Sequence, residues 1–296
     1  LRKVDFLVTC EYWMTSAALY SDYVLPIAGA LERPVIHNSY GCSSSLVAGE
    51  RAIYPLYERG TDYWFWQGLG LRLGQEDMWP WANEEEVYFD IVDPIGYDVE
   101  SYDEFVEEIG GHFGEAEVYR YQEEGRFPTR TGRVELYSTV LEDLGYPPLP
   151  VYSGPVENEI DNPELAKEYP LVLSTGGGFM PFHHSEEFNI KELRYLRHDP
   201  YMQINPVTAR KLGIEDGNWC WVETKRGRIR QRANVTNAVH EKVVFVQRGW
   251  WYPERGNYWD DDPFGVLESN ANVLTATAKE ECDPISGTWA NRGLLC

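Results

Sequence analysis

The chain has 296 residues, of which 43% are hydrophobic, and a formal net charge of −22 at pH 7. This length and apolar content are enough for two domains with buried cores, and they exclude a disordered tail. The negative charge argues against nucleic-acid binding, which needs a basic face, and against an anionic membrane surface. The sequence has no apolar run of 18 residues, so it predicts no membrane span.

The negative charge is concentrated in residues 76–124, which contain seventeen Asp or Glu and a single Lys or Arg, Arg120. We interpret this block as a solvated acidic face, because like charges on a surface are screened over a short distance in salt. A docking surface for a basic partner is the alternative interpretation.

The cysteines are widely spaced and form no C-x-x-C pair, so no zinc or iron–sulfur framework is visible. Their odd number and spacing indicate reduced, mostly buried thiols, and they leave the cellular compartment open. The five are Cys10, Cys42, Cys220, Cys282 and Cys296.

Residues 1–27 are predicted to form a strand, a turn, a short helix and a second turn. The strand is VDFLV (residues 4–8), Thr15 or Ser16 caps the helix, and Pro26 ends it. This pattern is one βα unit of an α/β sheet. Because the chain begins at Leu1 and enters a strand at once, we expect it to be a piece of a longer protein.

Two helices are predicted in the next part of the chain, over residues 62–73 and 102–109, and Gly74 suits the end of the first. We expect the aromatic run Trp64, Phe65 and Trp66 to belong to a core. Residues 127–138 (FPTRTGRVELYS) predict a turn followed by a strand, and the proline-rich residues 146–155 predict a linker.

The remainder of the chain, from about residue 168, is predicted to be mostly β, which favours a closed barrel. A hairpin turn is predicted at residues 225–227, and a helix at 206–212 is capped by Asn205 and Gly213. Arg228, Arg230 and Arg232 share one face of a strand, which we interpret as a solvated edge strand. The predicted strands are 171–174, 219–224, 228–235 and 243–247.

The most informative segment is residues 171–185 (LVLSTGGGFMPFHHS), where a strand breaks into hydroxyl residues and glycines and is followed by two histidines. Glycines let backbone N–H groups approach a ligand, while hydroxyls and imidazoles add neutral donors for phosphate or pterin-type heteroatoms. If His183 and His184 lie in a strand, only one of them faces the ligand. A loop pair of histidines without a ligand is the alternative.

Three later segments supply possible partners for this turn: residues 249–254 (GWWYPE), 268–275 (ESNANVLT) and 283–287 (DPISG). In an extended segment Asn270 and Asn272 point both amides to one face, which suits the edge of a pterin or guanine. A loop closed by an asparagine side chain is the alternative. We place Glu268 at the solvent end of the segment.

The order of these segments resembles the molybdopterin oxidoreductases of the dimethyl-sulfoxide-reductase family. The resemblance also rests on residues 9–26 (TCEYWMTSAALYSDYVLP), 129–138 (TRTGRVELYS) and 204–224 (INPVTARKLGIEDGNWCWVET). Gly177 stands where this family usually has an arginine. The resemblance covers nearly the whole chain.

The resemblance implies α/β segments followed by a mostly β domain. Residues 1–27 would end one α/β (Rossmann-like) domain, and residues 28–160 would be the return segment of a second. Residues 161–296 would form a six-stranded double-psi β-barrel that binds molybdopterin dinucleotide.

The resemblance also implies a set of cofactor-binding residues. No catalytic residue and no metal ligand is expected within this chain, because the family carries its metal ligand and iron–sulfur cysteines in the N-terminal half. The implied binding residues are Ser174, Thr175, Gly176, His183, His184, Ser185, Asn272 and Arg292, with Glu11 and Thr15 near the active-site funnel.

The implied function is the C-terminal, cofactor-binding part of a molybdenum or tungsten oxidoreductase with bis-molybdopterin guanine dinucleotide. A 4Fe-4S cluster is expected in the N-terminal remainder, and a separate iron–sulfur subunit is an expected partner for electron transfer. The small-molecule substrate would be a hydroxylated aromatic or a sulfur oxyanion, and hydratase or transhydroxylase relatives stay open. The alternatives are a metal-free member of the family and a stand-alone double-psi barrel binding module.

Overall fold

The computed structural model describes two compact units, Leu1–Leu149 and Pro150–Cys296, which divide within the proline-rich segment. No helix among the described residues is long and apolar enough to cross a membrane. Arg120, Cys42, His183 and the DPISG segment lie outside the described residues. The described ranges are 1, 3–38, 45–114, 123, 125–152, 154–177, 181–182, 184–256, 261–276, 278, 281–282 and 292–296.

The first unit contains a parallel pair of strands, β1 and β2, and an antiparallel three-stranded sheet in the order β3-β4-β5. Its strands are β1 (Val8–Glu11), β2 (Tyr23–Pro26), β3 (Val35–Asn38), β4 (Ser45–Gly49) and β5 (Gly111–Phe113). Its α-helices are α1 (Asp62–Arg72), α2 (Glu84–Val92), α3 (Tyr102–Glu108) and α4 (Thr139–Asp143).

The opening strand–helix unit is present, but its strand begins at Val8 rather than at residue 4. The helix is one 3-10 turn, Ala18–Tyr20, and the Thr15 hydroxyl accepts a hydrogen bond from the Ala18 amide at 3.2 Å. Pro26 does not end the helix, whose last residue is Tyr20. Pro26 is the last residue of β2, which pairs in parallel with β1.

Both predicted helices of this unit are confirmed as α1 and α3, and Gly74 follows α1 with a φ of +73°. The core prediction is wrong for Trp64 and Trp66, which are 62% and 53% exposed, whereas Phe65 between them is half-buried. Apolar residues occur all round α1, so the pattern could not select the buried face. The core of this unit instead contains Tyr102 and Phe105.

The strand predicted in residues 127–138 is wrong as well, because this segment is a series of turns. Gly132 has a φ of +68°, and its carbonyl accepts a hydrogen bond from the Phe127 amide at 2.9 Å. The Thr129 hydroxyl donates to the Arg133 carbonyl at 2.6 Å. These local hydrogen bonds compete with strand pairing and hold the chain in a turn.

The second unit is built on a mixed six-stranded sheet in the order β11-β6-β10-β7-β9-β8. The neighbours β6 and β10 run parallel, as do β7 and β9, and the other pairs are antiparallel. The strands are β6 (Val172–Gly176), β7 (Tyr201–Ile204), β8 (Trp219–Thr224), β9 (Gly227–Val235), β10 (Val243–Gln247) and β11 (Arg292–Leu295). The helices are α5 (Pro163–Glu168), α6 (Lys191–Leu196), α7 (Pro206–Leu212) and α8 (Val266–Ser269).

All four strands predicted for this unit are confirmed, and so is the hairpin, in which Thr224 pairs with Gly227. The helix α7 begins as expected, with the Asn205 side chain accepting from the Val207 amide at 2.9 Å. The strands β7 and β11 were not predicted, because runs of four residues carry too little pattern to be distinguished from loops.

The edge-strand interpretation of the arginines is wrong, because β9 lies between β7 and β8. The three side chains do share one face: Arg228 lies over the Trp221 ring at 4.6 Å, and Arg230 and Arg232 lie over Trp219 at 4.7 and 5.2 Å. The residues between them point into the core.

The core of the second unit is an apolar layer crossed by a few buried polar groups. Gln231, which is fully buried, donates through Nε2 to the carbonyls of Gln247 and Ser269 at 2.9 and 3.2 Å. These hydrogen bonds connect β9 to β10 and α8 at defined positions, which non-directional apolar packing would not do. The apolar layer includes Leu173, Met202, Ile204, Val222, Ile229, Val246, Leu274 and Leu294.

A buried carboxylate connects the β8–β9 hairpin to β11. Glu157 is 2% exposed, and its Oε1 lies 2.6 Å from Arg226 Nη2 and 2.8 Å from Lys225 Nζ in the hairpin. Its Oε2 accepts from the Leu295 amide at 3.3 Å. Burial alone would raise the pKa of Glu157, but the hydrogen bonds from Arg226 and Lys225 outweigh it and the pKa is lowered.

We predict that Glu157→Gln lowers the free energy of unfolding by about 1–3 kcal/mol, because two cationic groups lose a buried partner. Since the folded pKa of Glu157 is lowered, the wild-type advantage should be complete above the unfolded pKa. It should disappear as the pH falls through the folded pKa. Urea unfolding midpoints of both proteins between pH 7 and pH 3 measure this difference.

The matched control is Glu159→Gln, because Glu159 pairs with Lys242 at 2.8 Å but its side chain is 64% exposed. An exposed ion pair contributes about 0–1 kcal/mol. Equal losses in the two variants, or a loss at Glu157 that does not change with pH, would contradict the account of this network.

Candidate functional site

The glycine turn follows directly from the end of β6. Gly176 and Gly177 have φ values of +148° and +41°, which favour glycine, and a Cβ on Gly177 would lie 3.2 Å from Cζ of Phe245. Phe245 therefore limits what can replace Gly177, where the resemblance implies an arginine. Within β6, Thr175 is buried and Ser174 points to the opposite face.

The parallel pairing of β6 and β10 brings the turn close to the GWWYPE segment. Gly176 is the register partner of Gln247, and the Arg248 amide donates to the Gly176 carbonyl at 3.4 Å. The carboxyl ends of parallel neighbours meet at one edge of a sheet. Both candidate segments therefore leave the sheet at the same edge.

The second histidine of the pair lies in a turn and not in a strand, so the argument that the two face opposite ways does not apply. His184 and Ser185 have φ values of +55° and +111°, and His184 is exposed. The Ser185 carbonyl accepts a hydrogen bond from Trp251 Nε1 at 2.9 Å. This contact joins the His184–Ser185 turn to the GWWYPE segment.

Gly249 brings the backbone of the GWWYPE segment close to the His184–Ser185 turn. It has a φ of +74°, and a Cβ built on it would lie 2.5 Å from Ser185 Oγ and 3.3 Å from the His184 carbonyl oxygen. A side chain at this position would therefore displace the turn. We call the turns formed by Gly176–Gly177, His184–Ser185 and Gly249 the glycine cluster.

The two tryptophans after Gly249 are packing residues in this structure. Trp250 is fully buried and meets the Phe188 ring edge-on at 4.8 Å, and Trp251 is 7% exposed and meets Phe264 edge-on at 5.4 Å. Their rings hold the segment in place, and neither offers an open stacking face.

The ESNANVLT segment is not extended, so the prediction that both amides share one face is wrong. The segment enters from α8, and the Asn270 side chain accepts from the Asn272 amide at 3.0 Å to start a 3-10 turn. The asparagine-closed loop is therefore the correct alternative for Asn270, because its side chain competes with strand pairing. Asn272 itself is exposed.

Glu268 also differs from its expected place at the solvent end. Its two carboxylate oxygens lie 2.6 Å from Arg230 Nη2 and 2.6 Å from Arg255 Nη1. Burial acts to raise the pKa of Glu268, but these two arginines outweigh it and the pKa is lowered. Glu268 thus attaches the segment to β9.

The remaining predicted residues lie in three places. Arg292 is the register partner of Ser174 across β11 and β6, which brings these two backbone positions together. Thr15 donates to Glu11 Oε1 at 3.1 Å within the first unit. The contacts of Asn272 lie within its own segment, to Asn270 and to Thr275.

Sequence reasoning missed a groove of about 160 Å³ next to Gly177. A row of register partners, Phe245, Gln203 and Asn234, crosses three strands there, and Arg197 stacks over the Tyr201 ring at 4.5 Å. Burial lowers the pKa of Arg197. The sequence signal was the alternation of Gln203 with the buried residues Met202 and Ile204. It places Gln203 on the opposite face of β7, but only if residues 201–204 are recognised as a strand.

The donors at this edge suit a ligand rich in oxygen and nitrogen atoms. At the groove they are the Gly177 backbone, three amide residues and the Arg197 guanidinium, and the Ser185 hydroxyl lies at the neighbouring turn. The described residues contain no group of three or more His, Cys, Asp or Glu side chains that could hold a metal ion. The arrangement fits a dinucleotide-type cofactor, and it offers no protein metal site among those residues.

Comparisons with known proteins give the same cofactor class. Residues 171–293 match the family described as Molydopterin dinucleotide binding domain. Acetylene hydratase of Syntrophotalea acetylenica is 32% identical over 300 residues, which cover 99% of this chain and 40% of the relative. Dimethyl sulfoxide reductase DmsA of Escherichia coli (strain K12) is 28% identical over 276 residues, covering 85% of this chain and 33% of the relative.

A solved structure supports the same relationship. Acetylene hydratase from Pelobacter acetylenicus superposes with a TM-score of 0.90 and 32% identity, covering 98% of this chain and 40% of that one. The chain thus spans less than half the length of these relatives. On the matched domain, the relatives and the shared fold, the chain belongs to the molybdopterin oxidoreductase (dimethyl-sulfoxide-reductase) family.

Proposed function

We propose that this chain is the C-terminal, cofactor-binding part of a molybdenum or tungsten enzyme that uses bis-molybdopterin guanine dinucleotide. The observation that carries the proposal is the glycine cluster, in which three backbone turns meet at one edge of the sheet. The match of residues 171–293 to the dinucleotide-binding family supports the cofactor class.

The cofactor supplies the metal-centred chemistry when it is bound. The role of this chain is to hold and orient it through the backbone N–H groups of Gly176 and Gly177 and the hydroxyls of Ser174 and Ser185. Thr175 is buried and would fix the strand behind them. His183, His184, Asn272 and Arg292 are further proposed contacts, as are Glu11 and Thr15 toward the substrate funnel.

The proposed domain plan follows the family. Residues 1–27 and 28–160 would belong to two α/β domains, and residues 161–296 would form the double-psi barrel. Glu157, just before the proposed barrel segment, bridges the β8–β9 hairpin and β11; this supports closure, because β8 and β11 stand at opposite ends of the strand order. The metal ligand, the 4Fe-4S cluster and the catalytic residues would come from an N-terminal remainder.

Two reaction classes are candidates for the activity of the whole enzyme. The similarity to DmsA favours an oxidoreductase, which would act on a sulfur oxyanion or a hydroxylated aromatic and pass electrons to an iron–sulfur subunit. The similarity to acetylene hydratase, which covers 99% of this chain, favours hydration and needs no such partner. Co-purification of the enzyme from its native host separates them, because only the first requires an electron-transfer subunit.

We predict that the 296-residue chain alone exposes apolar surface and does not retain pterin. The side chains of Trp64, Leu73 and Met78 are 62%, 65% and 71% exposed in the first unit. Exposed apolar surface of this kind binds hydrophobic dyes and associates. The chain alone should enhance ANS fluorescence, and the full-length enzyme should not. A monomeric chain that unfolds cooperatively and keeps pterin would contradict the proposal.

We predict that Gly249→Ala in the full-length enzyme lowers pterin content about ten-fold, equivalent to about 1.4 kcal/mol of binding free energy. The new Cβ would overlap Ser185 Oγ, so the His184–Ser185 turn must move. Pterin is measured per mole of protein by oxidation and fluorescence.

The matched control is Gly217→Ala. Gly217 has a φ of +79°, close to that of Gly249, but a Cβ there meets no atom within 4 Å. The two variants therefore carry similar backbone strain and differ in the contact with the turn. Equal pterin loss in both would show that strain, and not the position of the turn, controls occupancy.

A further inference from the structure

We propose that Arg194 is a positioning residue for the glycine cluster, which goes beyond the predicted cofactor contacts and rests on the proposed function. Arg194 lies in α6, and its side chain is one of the few charged groups buried in the second unit, at 10% exposed. Burying a guanidinium is costly unless its surroundings compensate for the lost water.

The hydrogen bonds of Arg194 join two segments that border the cluster. Its Nη1 donates to the carbonyl of Arg197 at 2.9 Å, and its Nη2 donates to Glu254 Oε1 at 2.8 Å. Arg197 lines the groove next to Gly177, and Glu254 ends the GWWYPE segment. One side chain therefore fixes both the wall of the groove and the segment that carries Gly249.

Aromatic rings enclose the same guanidinium. Arg194 Cζ lies 4.6 Å from the Trp250 ring centroid, 5.6 Å from Phe188 and 5.9 Å from Tyr252. Cation–π attraction is stronger when the cation is desolvated, so these rings offset part of the cost of burial. Trp250 follows Gly249 in sequence, so the aromatic rings around Arg194 are connected directly to the Gly249 turn of the glycine cluster.

The route from Arg194 to the proposed cofactor contacts has two steps. Loss of the guanidinium removes its contacts with Trp250 and Glu254, and Gly249 then moves relative to Ser185, which leaves no room for a Cβ at Gly249. The same loss frees the Arg197 carbonyl at the groove. Arg194 therefore acts on the cofactor through other residues and does not itself bind it.

Arg226 offers a matched comparison within the same unit. Its side chain is 15% exposed and pairs with Glu157 at 2.6 Å and with Glu281, and it lies in the β8–β9 hairpin, outside the residues that define the glycine cluster. Like Arg194, it has one buried nitrogen without an acceptor among the described residues. The two arginines are both largely buried and ion-paired, although Arg226 has two carboxylate partners and Arg194 has one, and they differ in what they position.

The test compares Arg194→Met with Arg226→Met in the full-length enzyme. Both should lower the unfolding temperature, because each removes a largely buried arginine that is hydrogen-bonded to a carboxylate. Only Arg194→Met should also lower pterin per folded protein, about ten-fold, and speed pterin release into a chelating buffer. If the methionine variant does not fold, Arg194→Lys is compared with Arg226→Lys. We expect pterin per folded protein to fall about two- to five-fold in Arg194→Lys and to stay unchanged in Arg226→Lys.

Two results would overturn the proposal: wild-type pterin content in Arg194→Met, or equal pterin loss in the two methionine variants at equal loss of unfolding temperature. The second result would assign Arg194 a purely structural role. Absence of pterin from the wild-type full-length protein would instead refute the proposed function, so the two failures are distinguishable.

Discussion

The site depends on one close backbone approach, between Gly249 and the His184–Ser185 turn. Parallel pairing of β6 and β10 makes this approach possible, because both strands leave the sheet at the same edge. The absence of a side chain at Gly249 then lets the two turns touch, and the hydrogen bond from Trp251 Nε1 to the Ser185 carbonyl holds them. The backbone N–H groups and hydroxyls proposed to bind the cofactor are presented by this junction.

Charge is used differently in the two units. In the first unit the described acidic residues from Glu76 onward are mostly exposed, which agrees with a solvated face, and Glu84 is the buried exception. In the second unit, buried or half-buried arginines carry the long-range connections: Arg226 to Glu157, Arg230 to Glu268, and Arg194 to Glu254. A buried ion pair is weak evidence for stability but strong evidence for a defined geometry here, since each pair joins segments distant in sequence.

Local signals predicted the local structure well. The cap at Asn205, the two-residue hairpin after Thr224 and the strands β8 to β10 each depend on neighbouring residues, and each is confirmed. The misses depend on distant contacts or on competing side-chain hydrogen bonds, as at Asn270, which closes its own loop. Trp64 and Trp66 could not be placed because α1 is apolar on every face. Arg194 carries no sequence signal, because its role arises only when α6 packs against the GWWYPE segment.

The central claim is that the glycine cluster holds a molybdopterin dinucleotide. A crystal structure of the full-length enzyme with its cofactor tests it most directly. The account predicts pterin or phosphate atoms within hydrogen-bonding distance of the Gly176 and Gly177 amides and the Ser185 hydroxyl, with Gly249 still against the turn. A cofactor bound elsewhere, with these groups in contact only with protein, would contradict it.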